Sequence, residues 1–242
     1  PRPWWKEAFK RCVLRNFDAA LVGGKPHAEY AEKLGVSTDR IFQGYDAVDN
    51  ACFAESSREV RKHADHTRTR LSLPERFFLA SGRFVPKKNF ARLLQAYALY
   101  RLHLPDPWGL VLCGSGELEP ELQSIEKSLK LQGVIWPGFV QYADLPTYYG
   151  LASAFLMPST VEQWGLVVNE AMASGLPVVG SLFGSLGEVL NQDTGWPVDP
   201  LSPEHLAAAI SECCAQRDEC KRRCKNARQL IESRFDARQL AG

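Results

Sequence analysis

No stretch of this chain comes near the ~20 consecutive apolar residues that a bilayer-spanning helix needs, so the sequence offers no transmembrane segment. An excess of charge of one sign is also missing. The 29 basic and 28 acidic side chains leave a net charge of +1, which removes the bulk electrostatic case for nucleic acid. The seven cysteines follow none of the spacings of a disulfide-stapled secreted domain, and a chain this long needs no such staples. A reducing, cytoplasmic setting is expected, with a peripheral position at the inner membrane as the alternative. The first residue is Pro1 rather than Met and no signal-peptide pattern follows it, so the chain is read as a piece of a longer protein. The composition that remains, 45% hydrophobic and 24% charged, excludes a disordered chain, a collagen and a coiled coil. A length of 242 residues predicts one large domain or two small ones.

Hydrophobic spacing divides the chain. Trp5, Phe9, Cys12 and Val13 recur at helical spacing within residues 4–16. Phe17–Val22 reads as a strand, Pro26–Leu34 as a helix, and Val36–Val48 as one short strand with a turn at Gly44-Tyr45-Asp46. This opening piece is too small to bury a core alone. Residues 54–75 are polar and basic with a helical middle, Glu55–His66, and suit a linker helix. Regular alternation follows, with strands at 77–80, 108–113, 134–136, 154–157, 177–180 and 195–198. Between them come helices at 90–103, 118–131, 143–149 and 165–173 and a short one at 186–190. Ser202 then caps a helix with Pro203 at its first position, running to about Gln216, and another spans about Glu219–Ser233. Short strands alternating with helices predict an α/β fold with a Rossmann-like parallel sheet flanked by helices. The expected division is 1–53 as a small α/β remnant of another domain and its crossover, 54–75 as linker, 76–235 as the sheet domain and 236–242 as the start of a further crossover.

Ligands of such sheets bind beyond the carboxyl ends of the strands, so the loops there carry the chemistry. Gly82-Arg83-Phe84-Val85-Pro86-Lys87-Lys88-Asn89 places cations on a loop running into a helix, which suits a diphosphate. A solvated basic loop is the plainer alternative. Gly114-Ser115-Gly116-Glu117 allows close backbone approach, although a tight turn explains it as well. Pro158 to Glu170 holds two carboxylates eight positions apart, Glu162 on the loop and Glu170 in the helix that begins near Gly165. Between them lie the free N–H groups of a first helical turn, which attract anions. Four residues of helix rise about 6 Å, roughly the reach from a phosphate to its ribose. One Glu is thus placed to accept from ribose hydroxyls and the other from a group beyond the phosphates.

Glu162-x7-Glu170 inside EQWGLVVNEAMASGLPVV resembles the hallmark of retaining glycosyltransferases of family 4, which have the GT-B fold. SGRFVPKKNF, the GSGE loop, VIWPGFVQYADLPTYYGLASAFLMPS and GSLGEVL-NQDTGWPVDP match in the family's order over about residues 77–235. LGVSTDRIFQGYDAVDNACF resembles the end of the family's first domain and the crossover into the second. The resemblance implies that this chain is mainly the donor-binding half of a metal-independent, retaining hexosyltransferase. Its donor would be a nucleoside diphosphate sugar and its acceptor an unidentified glycan, lipid or small molecule. Arg83 and Lys88 match the family's diphosphate-binding cations. Glu162 matches the carboxylate on the donor sugar and Glu170 the one on the ribose. Gly165, Leu166 and Val167 match the backbone at the phosphates, Gly114 the glycine loop, and Val140 the position near the base. No metal or cofactor is expected. Trp164 stands where the family usually has Phe, and Asn89 where Gly is common. The resemblance implies that the acceptor pocket and catalytic-region His of the family's first domain lie outside this stretch, and His27 is not expected to replace that His because it lies near the crossover.

Paired carboxylates also suggest a glycoside hydrolase, with an acid and a nucleophile ~5–9 Å apart. That reading leaves Arg83, Lys88 and the helix end unused. A dinucleotide oxidoreductase would need a third glycine at fixed spacing. A non-catalytic nucleotide-sugar-binding module is the stronger rival. Cys213, Cys214, Cys220 and Cys224 invite a zinc reading, but Cys213, Cys220 and Cys224 at i, i+7 and i+11 fit an apolar helical stripe better. Lys221, Arg222, Arg223, Lys225 and Arg228 suit a solvated helix face better than anionic lipid. Trp4 and Trp5 suit packing on a domain better than a membrane anchor.

Overall fold

The computed structural model describes residues 3–44, 46–102 and 104–240. Its N-terminal unit holds α1 (Trp4–Leu14), β1 (Ala20–Val22), α2 (Lys25–Lys33) and β2 (Ile41–Gln43), with β1 and β2 paired in parallel. The strand expected from Phe17 begins three residues later, at Ala20. The expected helical middle of residues 54–75 is instead two helices, α3 (Asn50–Lys62) and α4 (Ala64–Leu71). Asp49 starts α3 by accepting from the Cys52 amide at 3.0 Å, as an N-cap carboxylate does. His63 leaves helical geometry (φ −122°, ψ 31°) and separates the two.

Six strands follow: β3 (Phe77–Ser81), β4 (Gly109–Cys113), β5 (Val134–Gly138), β6 (Ala154–Met157), β7 (Val178–Ser181) and β8 (Trp196–Val198). They form one sheet in the order β5-β4-β3-β6-β7-β8, every neighbouring pair parallel. The helices between and after them are α5 (Phe90–Arg101), α6 (Glu119–Ser128), α7 (Leu145–Leu151), α8 (Leu166–Ala173), α9 (Pro203–Ala215), α10 (Arg217–Arg234) and α11 (Ala237–Leu240). The α/β, Rossmann-like expectation therefore holds. Where 186–190 was expected to be a short α-helix, a 3-10 turn covers Gly184–Glu188. β5 runs on through Pro137, which an edge strand tolerates because one side of its ladder is unpaired. The expected turn residue Tyr45, the expected helix end at His103, and Pro1, Ala241 and Gly242 lie outside the described residues.

Alternation along the strands splits the core into two layers. Phe77, Leu79, Val111, Phe155 and Val178 face α3, α7, α8 and α10. Phe78, Ala80, Leu110, Leu112, Leu156 and Val179 face α5, α6 and α9. Strands buried on both faces read as unbroken apolar runs for this reason. The chain also closes on itself here. Val48 bridges Asp236, and the Asn50 amide donates to the Ile231 and Phe235 carbonyls at 3.1 and 3.3 Å. Ser202 caps α9 as expected, accepting from the His205 amide at 3.1 Å. The thiols read as one helical stripe sit on two helices, which divide at Gln216 as the expected helix bounds already required. Cys213 belongs to α9 and Cys220 and Cys224 to α10, and all are free.

Candidate functional site

In this strand order the chain turns one way from β3 and the other way from β6. The loops after those neighbouring strands diverge, leaving a crevice at the carboxyl edge. The loop after β3 carries Lys88, and the loop after β6 carries Glu162. Lys88 Nζ donates to Glu162 Oε2 at 2.6 Å, and both side chains are largely buried. Two residues 74 positions apart thus form one ion pair at the switch point.

Asn89 fixes the first loop. It adopts left-handed geometry (φ 58°), and its amide donates to the carbonyls of Pro158 at 2.9 Å and Pro200 at 2.7 Å. Gly and Asn are the residues that tolerate this backbone best, which explains why Asn89 stands where glycine is common. Gly165 ends the second loop at φ 86°, and α8 starts at Leu166 with no side-chain cap. The first N–H groups of a helix have no intrahelical partner. Gly165, Leu166 and Val167 face a cleft of about 520 Å³ that Lys88 and Glu162 also line. A lysine and a helix N-terminus are groups that attract anions, and here the lysine has Glu162 as its partner.

Arg83 is placed elsewhere. With Gly82, Gly114, Ser115, Phe139 and Val140 it lines a separate cavity of about 180 Å³ at the ends of β3, β4 and β5. Arg83 and Lys88, expected on one diphosphate, do not share a cavity. A Cβ on Gly114 would run into the carbonyl of Gly82. The space a side chain would need there is filled by the neighbouring loop rather than left open to a ligand.

Glu170 lines neither cavity. It is only 5% exposed and accepts a hydrogen bond from the Tyr149 hydroxyl at 2.8 Å. Burial pushes its carboxyl up to about 7, with the Tyr149 bond opposing the rise. Tyr149 itself is held well above its ordinary range by burial and by the facing carboxylate. Trp164 is buried against Phe235, ring centroids 5.2 Å apart, and its ring abuts Gly24 of the N-terminal unit.

Sequence reasoning missed several members of this region. Tyr149 carries no sequence signal, because a tyrosine on an apolar helix reads as core. His27 and Asp46, from the N-terminal unit, line the same wide cleft as Lys88 and Glu162. In the sequence His27 is set aside for its place near the crossover, and Asp46, which follows β2, reads only as part of a turn. That unit reaches the cleft because the Lys25 amide donates to Glu188 at 2.7 Å. Among the described residues no group of three or more His, Cys, Asp or Glu is placed to hold a metal ion, and no helix is long and apolar enough to cross a membrane.

The family model for glycosyl transferases group 1 matches residues 62–230. The chain belongs to that family. This group 1 chain is 33% identical to O-antigen chain mannosyltransferase B of Escherichia coli over 160 residues, which are 65% of this chain and 41% of that protein. It is 34% identical to glycogen synthase of Mycobacterium tuberculosis over 148 residues, 60% of this chain and 36% of that protein. The chain therefore spans well under half of either relative. Its fold matches GT-B glycosyltransferases. Sucrose-phosphate synthase from Thermosynechococcus elongatus aligns with a TM-score of 0.80 at 26% identity, over 99% of this chain and 60% of that one. HepE from Anabaena, solved in complex with UDP, aligns with a TM-score of 0.82 at 22% identity, over 97% of this chain and 66% of that one, a likeness of fold. The matched region of this group 1 chain includes Arg83, Lys88, Gly114, Val140, Glu162, Gly165, Leu166, Val167 and Glu170. His27 and Asp46 fall outside it.

Proposed function

We propose that this chain binds a nucleoside diphosphate sugar, and that the reaction this binding serves is sugar transfer to an acceptor hydroxyl with retained anomeric configuration. One observation carries the reading. Lys88, Glu162 and the uncapped start of α8 meet in one cleft at the switch point of a parallel sheet. The diphosphate would lie against the α8 N-terminus and take Glu162's place as partner of Lys88. Glu162, released, would accept from hydroxyls of the sugar. Arg83, beside the smaller cavity with Val140, would hold the nucleoside side of the diphosphate, with the base in that cavity. Glu170 would serve the ribose through the carboxylate oxygen not bonded to Tyr149.

As the glycosidic bond breaks, negative charge grows on the leaving diphosphate. Cations and backbone dipoles already in place there lower the barrier without reorganising. Lys88, Arg83 and the helix end supply that charge, so the reading assigns no metal to the step. The retaining outcome rests on the resemblance carried by Glu162-x7-Glu170, and the acceptor is proposed only as a hydroxyl-bearing molecule. A glycoside hydrolase would have no use for Lys88 paired at a helix end.

Calorimetric titration with UDP, GDP and ADP, with and without EDTA, tests this. One nucleotide is expected to bind equally with and without chelator. Lys88→Ala and Glu170→Ala are each expected to weaken it by about 1–3 kcal/mol, the scale of a lost charged hydrogen bond. A folded chain that binds none of the three, or variants that bind as wild type does, would overturn the reading.

A further inference from the structure

The wide cleft has a wall that the diphosphate does not use. His27, in the first turn of α2, and Asp46, beyond β2, both line it. Gly23 lies between them. A Cβ there would collide with Asp46 Oδ2 and sit 3.3 Å from His27 Nδ1, so both polar atoms converge on one small region. They are not bonded to each other. His27 Nδ1 is buried and has no hydrogen-bond partner among the described residues. Burial raises the Asp46 carboxyl above its ordinary range, with His27 alone opposing. A buried polar atom left without a partner costs free energy, and His27 Nδ1 in that state, with the half-buried Asp46 carboxylate converging on the same spot of one cleft, points to a ligand that both can bond.

The chemistry selects that ligand. A carboxylate repels phosphate, which excludes the diphosphate from this wall. A hydroxyl both donates and accepts, so neighbouring hydroxyls on a sugar ring suit an imidazole nitrogen beside a carboxylate. The same cleft holds Glu162, a second acceptor for hydroxyls.

We propose that His27 and Asp46 form a hydroxyl-binding subsite for the hexose of the bound nucleotide sugar, supplied by the N-terminal unit from outside the segment the family model matches. This rests on the donor reading above. His27 and Asp46 would grip the sugar while Lys88 and the α8 start grip the diphosphate, so that one ligand ties the N-terminal unit to the sheet.

The test separates sugar from nucleotide. The full chain and its His27→Ala, His27→Asn and Asp46→Asn variants are titrated with UDP, GDP and ADP and with UDP-glucose, GDP-mannose and ADP-glucose. His27→Ala and Asp46→Asn are expected to weaken the sugar nucleotide about fivefold or more, the scale of one lost hydrogen bond, while the bare diphosphate binds within about twofold of wild type. His27→Asn, whose side-chain amide comes near the place of Nδ1, is expected to keep most of the sugar increment. Circular dichroism checks each fold, and the near-isosteric Asp46→Asn decides the matter if His27→Ala does not fold. Variants that weaken both ligands equally, or neither, would overturn the subsite and leave the donor reading standing. No nucleotide binding by the folded wild type would overturn both.

Discussion

The N-terminal unit and the six-stranded sheet are written in the same alphabet and fold to opposite ends of the burial scale. In the sheet, Leu79 is 0% exposed and so are its neighbours along β3. In the N-terminal unit, Leu21 of β1 is 61% exposed, Phe42 of β2 56% and Phe9 of α1 68%, and α1 buries no residue. Helix and strand periods are local properties, and both regions have them. Burial is not local, because it needs a second layer, and two three-residue strands supply none. What the N-terminal unit does supply is polar. His27 and Asp46 reach the cleft, and Gly24 and Lys25 dock on Trp164 and Glu188.

Three measurements press on this contrast. The largest effect is expected from Leu79→Ala. Emptying a fully buried site between the sheet and one helical layer should cost about 4 kcal/mol, read as a lower urea midpoint. A loss below ~1 kcal/mol would mean that the sheet is no better packed than the N-terminal unit.

Next comes the carboxylate buried against Tyr149. Glu170 has an ordinary value of 4.5 and is raised to about 7 in the fold by burial. Above pH 4.5 the unfolded chain loses this proton while the folded chain keeps it, so stability falls as pH climbs from about 4.5 through 7. Glu170→Gln removes that penalty. It should leave stability unchanged near pH 4.5 and raise it at pH 8 by up to about 3 kcal/mol. Paired denaturant titrations at the two pH values check this, and an equal effect at both would contradict the burial.

The smallest effect belongs to Phe42→Ala, expected under ~0.5 kcal/mol because the side chain is exposed already. Thermal unfolding reads it. A larger loss would show that something covers this face in solution, and would erase the contrast.

Much of the fold was legible in order and kind. The six apolar runs became six parallel strands, and Ser202-Pro203 opened a helix as the capping rules require. Strand and helix ends moved by a few residues. β5 ran on through Pro137 because it lies at an edge, which no local signal marks. The cysteine stripe was misread because its spacing was counted across the helix end that the sequence itself put near Gln216. Within the site, the residue types at Lys88, Glu162 and Gly165 were legible from loop position and helix start. The partner of Glu170 was not, since Tyr149 looks like any core aromatic. His27 was set aside on its place in the chain, although distance along the chain says nothing about which residues line a cleft.

The sequence by itself determined the alternation of strand and helix, and with it a parallel sheet whose chemistry lies at one edge. It also placed a lysine and a glutamate on loops at that edge, and a helix start with a second glutamate inside the helix. Those are matters of period, capping and residue type, each decided within a few residues. Only the tertiary structure decided that β3 and β6 are neighbours, and so that Lys88 meets Glu162 across 74 positions. It also set Arg83 in a cavity of its own, sank Glu170 against Tyr149, and brought His27 and Asp46 to the cleft. Strand order and docking follow from how whole apolar faces bury one another, a balance that no short stretch of residues contains.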